Sequence, residues 1–300
     1  MPESVLTVAS LVHDPALQAA VARWLAGGRY ALVRVDPSDD PVAALERLRE
    51  DFDALLIEEG SVDPSVFAGL NQRGLVLPAV VIGAVTGEVT VHEAEVRLPP
   101  DQLEQLPYSL DAALSRFLRR GVMNPADGEE AAEAGPASGD AAAGREAGEA
   151  GETGAPVPMP WRLDDRLRER LGLLGVFYKR DPSRFLRNLP LTEQNELRRS
   201  LERSYRDLLL NYFRNPSAAN QALESFVNTA FFSDLSITTT VQIHMDLIDS
   251  FSDRLRLEGH KTDFLQDYRL ALLDVMAHLC EMYRRSIPPD VPLIRFSAST

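Results

Sequence analysis

From Gly121 to Pro160 the chain loses almost all of its bulky apolar residues and is written instead in Ala, Gly, Glu and Pro. Such a stretch buries too little apolar surface to offset the entropy of ordering it, so it reads as a linker. It divides the sequence into a first unit over residues 1–120 and a second over 161–300. Eight acidic residues and one arginine, Arg145, fall in this segment, which is half of the chain's net charge of -14. The acidity therefore belongs to a self-repelling, extended and flexible connection and does not mark a binding surface. A 45% apolar content is enough for two packed units. The negative balance argues against a chain whose main task is to hold nucleic acid.

In the first unit, apolar runs at Val5–Val12, Tyr30–Val35, Ala54–Ile57 and Ala79–Ile82 alternate with helical patterns. Three helices open in the same way, at Asp14-Pro15, Asp40-Pro41 and Asp63-Pro64, each placing a capping carboxylate before a proline at the first helical position. Short, nearly continuous apolar strands between helices imply a parallel sheet covered on both faces. The expected fold is a flavodoxin-like or receiver-type α/β unit, closed by a fifth strand near Val96 and a helix through Phe117.

The second unit is helical throughout. Leu197, Leu201, Tyr205, Leu208 and Tyr212 share one stripe of a helix that Thr192 would cap, and Asn215-Pro216 ends it and begins the next. Ile237, Val241, His244, Ile248, Phe251 and Leu255 form another stripe, between Ser236 as cap and Gly259 as terminator. A last helix is expected from Thr262 to Ile287, before Pro288-Pro289. Four amphipathic helices with short connections predict an all-α four-helix bundle. The last helix is apolar on two stripes: Leu265, Tyr268, Leu272, Val275 and Leu279, then Leu273, Met276, Cys280 and Tyr283. So wide a face is expected to bury against a second copy, giving a homodimer.

Cys280 is the single cysteine, so no disulfide forms within the chain. The start, MPESVLTVASLVHDP, lacks a basic leader region, and no run of about 18 apolar residues occurs. The expectation is a cytoplasmic protein that does not enter a membrane. The histidines are scattered, which supports no metal site, and neither a phosphate-binding glycine loop nor a nucleophile elbow is present.

Four stretches resemble one family. Glu169–Pro190 reads ERLGLLGVFYKRDPSRFLRNLP and His278–Pro288 reads HLCEMYRRSIP; Phe226–Asp234, FVNTAFFSD, and Glu104–Leu114, EQLPYSLDAAL, agree less closely. Together they are similar to the KaiA family of the cyanobacterial circadian clock. The resemblance implies a non-enzymatic regulator: a pseudo-receiver followed by a dimerising bundle that binds the C-terminal tail of the kinase KaiC and enhances its autophosphorylation. It also implies sequestration by KaiB in complex with KaiC. No cofactor is required on this reading, although the family's pseudo-receiver can bind oxidised quinones.

The receiver positions can be tested on the residues. A phosphate-accepting receiver needs an acidic pair after the first strand, an aspartate after the third, a hydroxyl after the fourth and a lysine after the fifth. Here those places hold Val12, His13 and Asp14, then Glu58, Gly83 and the region of Pro99. One acid at best survives, so no aspartyl phosphate is expected. Glu58 and Glu59 read equally as strand-end caps facing solvent.

In the last helix Asp267, Ala271, Asp274, His278, Glu281 and Arg285 follow one line beside the apolar faces. Read from the residues alone, His278 is a boundary side chain paired with Asp274 or Glu281. The resemblance implies instead that Asp274, His278, Glu281 and Arg285 lie in the dimer groove that receives the kinase tail. A phosphotransfer protein with a histidine on the helical bundle is the alternative, which the flanking acids disfavour. His244, between Val241 and Ile248, reads as a satisfied buried histidine. Arg284 and Arg285 with Arg254 and Arg256 read as a basic end to the bundle, serving either the helix dipole or an acidic peptide. Val157, Met159, Trp161 and Leu163 alternate with Pro158, Pro160 and Arg162. That pattern fits a one-sided edge strand, a docking segment or a proline-rich spacer.

Overall fold

The computed structural model describes residues 5–27, 29–35, 43, 45, 51–72, 76–84, 91–123 and 180–287. Five strands in this part form one parallel sheet in the order β2-β1-β3-β4-β5: β1 Leu6–Leu11, β2 Tyr30–Arg34, β3 Ala54–Glu58, β4 Ala79–Ile82 and β5 Val96–Leu98. This is the flavodoxin-like order. Alternation along β1 sends Leu6 and Val8 to one face and Ala9 and Leu11 to the other. The second face packs on α2 (Pro64–Gln72) through Phe67 and Leu70, together with Phe52. The first packs on α1 (Pro15–Leu25) and α3 (Leu106–Met123) through Val21, Trp24, Leu106, Leu110 and Leu114.

The caps at Asp14 and Asp63 form as the sequence requires: Asp14 Oδ1 accepts from the Ala16 amide at 2.7 Å and Asp63 Oδ1 from the Ser65 amide at 2.8 Å. Residues 43 and 45 are helical, and Asp40-Pro41 lies outside the described residues, as does the whole of 124–179. The expected linker over 121–160 is therefore described only at the end of α3.

Four α-helices make up the helical half among the described residues: α4 Leu191–Asn211, α5 Pro216–Phe232, α6 Ile237–Leu257 and α7 Arg269–Ser286. Asn215 caps α5, Ser236 caps α6, and Gly259, at a φ of 77°, ends the latter. Three details differ from expectation. Pro190, not Thr192, stands at the N-cap of α4, because the helix begins two residues earlier, at Leu191, and the Gln194 side-chain amide satisfies the Leu189 carbonyl. The stretch Asp263–Tyr268 is a 3₁₀ helix, so α7 starts at Arg269; Thr262 makes no side-chain cap that would nucleate a wider helix. On α6 the buried line is Thr240, Ile243, His244 and Leu247, rotated from the expected one, which leaves Val241, Ile248, Phe251 and Leu255 only half-buried.

α4 packs along α5, where the Tyr205 and Phe226 rings meet edge to face at 4.8 Å, while α7 rests on α5 and α6 on α4. The patterning treats the two halves as separate units, yet in the fold α3 lies on α5 and one apolar core runs through both. At the centre of this junction is Gln105, fully buried on a 3₁₀ turn at Leu103–Gln105. Its amide donates to Ser200 Oγ at 2.9 Å and Ser204 Oγ at 2.7 Å, and its Oε1 accepts from Thr229 Oγ1 at 2.8 Å. Arg23–Glu196 at 2.7 Å and the pair Arg116–Glu224 lie at the rim.

Candidate functional site

At the receiver-like end of the sheet the side chains are paired with one another and with the backbone. The Glu58 carboxylate accepts the amides of His13 at 2.8 Å and Asp14 at 3.0 Å, so it caps the loop after β1. Glu59 pairs with Arg97 and accepts the Ala84 amide at 2.7 Å. It fills the place of a hydroxyl side chain, since a Cβ on Gly83 would lie 2.2 Å from Glu59 Oε2. Arg97 also reaches Glu95 at 3.0 Å and the Ala84 carbonyl at 2.7 Å. The cation of this corner is thus an internally paired arginine two residues before the position near Pro99. No group of three or more His, Cys, Asp or Glu among the described residues could hold a metal ion.

The last helix presents the other candidate. On α7, Ala271, Val275 and Leu279 face the core. At 100° per residue this leaves two adjoining outward lines. One is polar, Asp274, His278, Glu281 and Arg285; the other is apolar, Leu270, Leu273, Ala277 and Cys280, with Leu273 60% exposed. The second apolar stripe read from sequence thus lies partly open to solvent, while Met276 and Tyr283 turn half inward. Ala271, expected on the polar line, is fully buried, so that line starts at Asp274.

Within the polar line the expected side-chain partners do not meet. His278 Nδ1 lies 2.8 Å from the backbone carbonyl of Asp274, one turn back, and not on either carboxylate. The Asp274 carboxylate accepts instead from the hydroxyl of Tyr212, the residue that follows α4. Glu281 takes Arg284 at 2.6 Å and Arg285 at 2.6 Å, and these hydrogen bonds push its carboxyl down to about 2. Tyr212 is pushed up to about 12, first by burial and then by its bond to Asp274. His278 is exposed on this face and its ring meets neither carboxylate.

The proposed basic end of the bundle does not form. Residues 258–262 join the C-terminus of α6 to the start of the α7 region, so Arg254 and Arg256 sit beside the N-terminal end of the last helix. Arg284 and Arg285 lie at the other end of α7, which at 18 residues and 1.5 Å each is about 27 Å long. Arg254 is paired with Glu258 at 3.3 Å. Val157, Met159, Trp161 and Leu163 lie outside the described residues.

His244 is buried with Nδ1 3.1 Å from the Tyr205 hydroxyl, as the stripe position implies. Burial lowers its pKa below the ordinary 6.5. The folded state then binds the proton less readily than the unfolded chain, so the contribution of His244 is complete above pH 6.5 and is lost as pH falls through the folded value. Melting temperatures should therefore fall on acidification from that point, and His244→Gln should flatten the slope there. An unchanged profile would show that His244 binds its proton equally well in the folded and unfolded chain.

Sequence reasoning missed the end of the bundle around Arg180 and Asp234. Arg180 binds Asp234 at 2.7 Å, and Arg187 binds the other Asp234 oxygen at 2.8 Å. A cavity of about 620 Å³ opens beside them, lined by Leu186, Arg198, Leu235, Thr239 and Tyr283 among others. The signal was present in the Lys179-Arg180-Asp181-Pro182 run, whose partner at Asp234 is 54 residues away.

Comparison with known proteins agrees with this architecture. A family model described as the Circadian clock protein KaiA N-terminal domain matches residues 6–121, and one described as the KaiA C-terminal domain matches residues 169–290. A circadian clock oscillator protein KaiA from Parasynechococcus marenigrum (strain WH8102) is 53% identical over 294 residues, covering 96% of this chain and 91% of the relative. The KaiA of Synechococcus elongatus is 40% identical, covering 96% and 99%. The crystal structure of the C-terminal domain of KaiA from Thermosynechococcus elongatus BP-1 is 44% identical, covers 34% of this chain and 95% of that one, and has a TM-score of 0.31. No helix among the described residues is long and apolar enough to cross a membrane. With both family models matched and full-length relatives on either side of half identity, the chain belongs to the KaiA family of circadian clock oscillator proteins.

Proposed function

We propose that this chain is a non-enzymatic clock regulator of the cytoplasm, acting as a homodimer that captures the C-terminal tail of KaiC and thereby enhances its autophosphorylation. KaiB, in complex with KaiC, sequesters it and ends that phase. The observation that carries the reading is the outward side of α7, where an exposed apolar line adjoins Asp274, His278, Glu281 and Arg285. The apolar line suits a second copy and the polar line beside it suits a peptide laid along the seam. Preferential binding of an exposed tail shifts the kinase toward the tail-out state by the differential affinity and no more. The blocked receiver corner supports the absence of phosphoryl chemistry on the sheet. The oxidised-quinone input is part of the family expectation, and no residues of this chain are assigned to it.

The test is to incubate the full chain with KaiC and ATP, with and without KaiB, and follow KaiC phosphorylation. Stimulation that KaiB reverses is expected; acid-labile phosphate on this chain would favour the phosphotransfer alternative. His278→Ala should weaken binding of a KaiC tail peptide by about 1 to 3 kcal/mol, tenfold or more, while leaving the sedimenting species and the melting temperature unchanged. Equal affinities for mutant and wild type would remove His278 from the site.

A further inference from the structure

The last two turns of α7 leave the core. Leu279 is the last fully buried side chain, and Cys280, Arg284 and Arg285 beyond it are exposed. Met282 and Tyr283 bring this end back, both half-buried against the apolar cluster. The Tyr283 ring meets Phe231 at 5.1 Å and stands 5.3 Å from the guanidinium of Arg180.

Arg180 is held on several sides at once. Its guanidinium lies over Phe185 at 5.1 Å and Phe231 at 5.0 Å, and its Nη1 donates to Asp234 Oδ1 at 2.7 Å and to the Phe231 carbonyl at 3.3 Å. Asp234 is itself fixed, being the one non-glycine among the described residues with positive φ, at 56°. Arg187 closes on its second oxygen. A planar guanidinium can stack on rings and grip a carboxylate in the same pose, which a compact ammonium cannot do.

We infer that Arg180 is a positioning residue for the partner-binding face of α7. It clamps the Asp234 corner and the Phe185 ring onto Tyr283, and so sets where Glu281, Arg284 and Arg285 stand. The words partner-binding rest on the function proposed above; the clamp is a property of the fold alone.

The experiment uses the full chain with Arg180→Lys, which keeps the charge but gives up the stacked pose, and Tyr283→Leu, which keeps an apolar contact but removes the ring. Amide hydrogen exchange over residues 282–287 is compared with that over 271–279 and over the strands, and each variant is titrated with a KaiC tail peptide. Both variants are expected to speed exchange over 282–287 by about threefold to tenfold, with the rest of α7 unchanged and peptide affinity reduced by a similar factor. Unchanged exchange over 282–287, exchange that rises evenly along α7, or a local rise with full peptide affinity would each overturn the inference. If the wild-type chain binds no peptide, the proposed function fails, and the local exchange alone decides the clamp.

Discussion

Asp111→Ala is expected to destabilise the receiver-like half by about 3 to 5 kcal/mol, the cost typical of removing one partner from a buried ion pair. Asp111 of α3 is 4% exposed, and one of its oxygens takes both Arg29 and the Tyr30 hydroxyl, at the start of edge strand β2. Arg29 is 8% exposed, so the alanine variant leaves a guanidinium without its carboxylate in a place that water hardly reaches. Against a total stability of about 5 to 15 kcal/mol, that is a large fraction. Urea unfolding followed by Trp24 fluorescence, which reports on the same face of the sheet, measures it. The control is Arg29→Met with Asp111→Leu and Tyr30→Phe, which removes the whole buried set and should recover most of the loss. A single alanine variant that unfolds at the wild-type midpoint would show that the pair is solvated in solution.

Gln105→Ala should loosen the junction of the two halves. It takes a donor from Ser200 Oγ and an acceptor from Thr229 Oγ1 in a fully buried place, at about 1 to 3 kcal/mol for each group left unpaired. Ser204 keeps Gln102 Oε1 at 2.6 Å and loses less. Each half holds its own share of apolar side chains, so calorimetry of the full-length variant should show the single transition split into two. Removing the exposed pair Arg23–Glu196 should change little by comparison, since exposed ion pairs contribute about 0 to 1 kcal/mol. An unsplit transition at the wild-type temperature would mean that apolar contacts alone hold the halves together.

The strands and the α/β fold class were legible because the signals are local. Runs such as Ala79–Ile82 are buried on both faces, and Asp-Pro caps at Asp14 and Asp63 are read within three residues. The helical stripes were legible to within a fraction of a turn, and α6 shows why no closer: two neighbouring lines are apolar there, and only packing against Tyr205 decides that Thr240, Ile243 and Leu247 go inward. Much of the polar line on α7 was readable from spacing, but its pairings were not. Whether Asp274 faces His278 or Tyr212 depends on α4, 62 residues away. Gln105 and Arg180 were missed for the same reason, since the groups that satisfy them lie about 50 to 120 residues off in sequence. A glutamine on a short turn and an arginine in a loop carry no periodic signal of their own.

The closed receiver corner also bears on how substitutions combine there. Glu58→Asp would shorten the carboxylate that caps the His13 and Asp14 amides. Gly83→Ser would drive a Cβ into Glu59, and removing Glu59 would strip Arg97 of a partner. Each step toward a phosphate-accepting pocket is therefore unfavourable until the others are in place, so the effects are not additive. Single mutants at these positions would report stability, and a scan one residue at a time would find this corner intolerant of change.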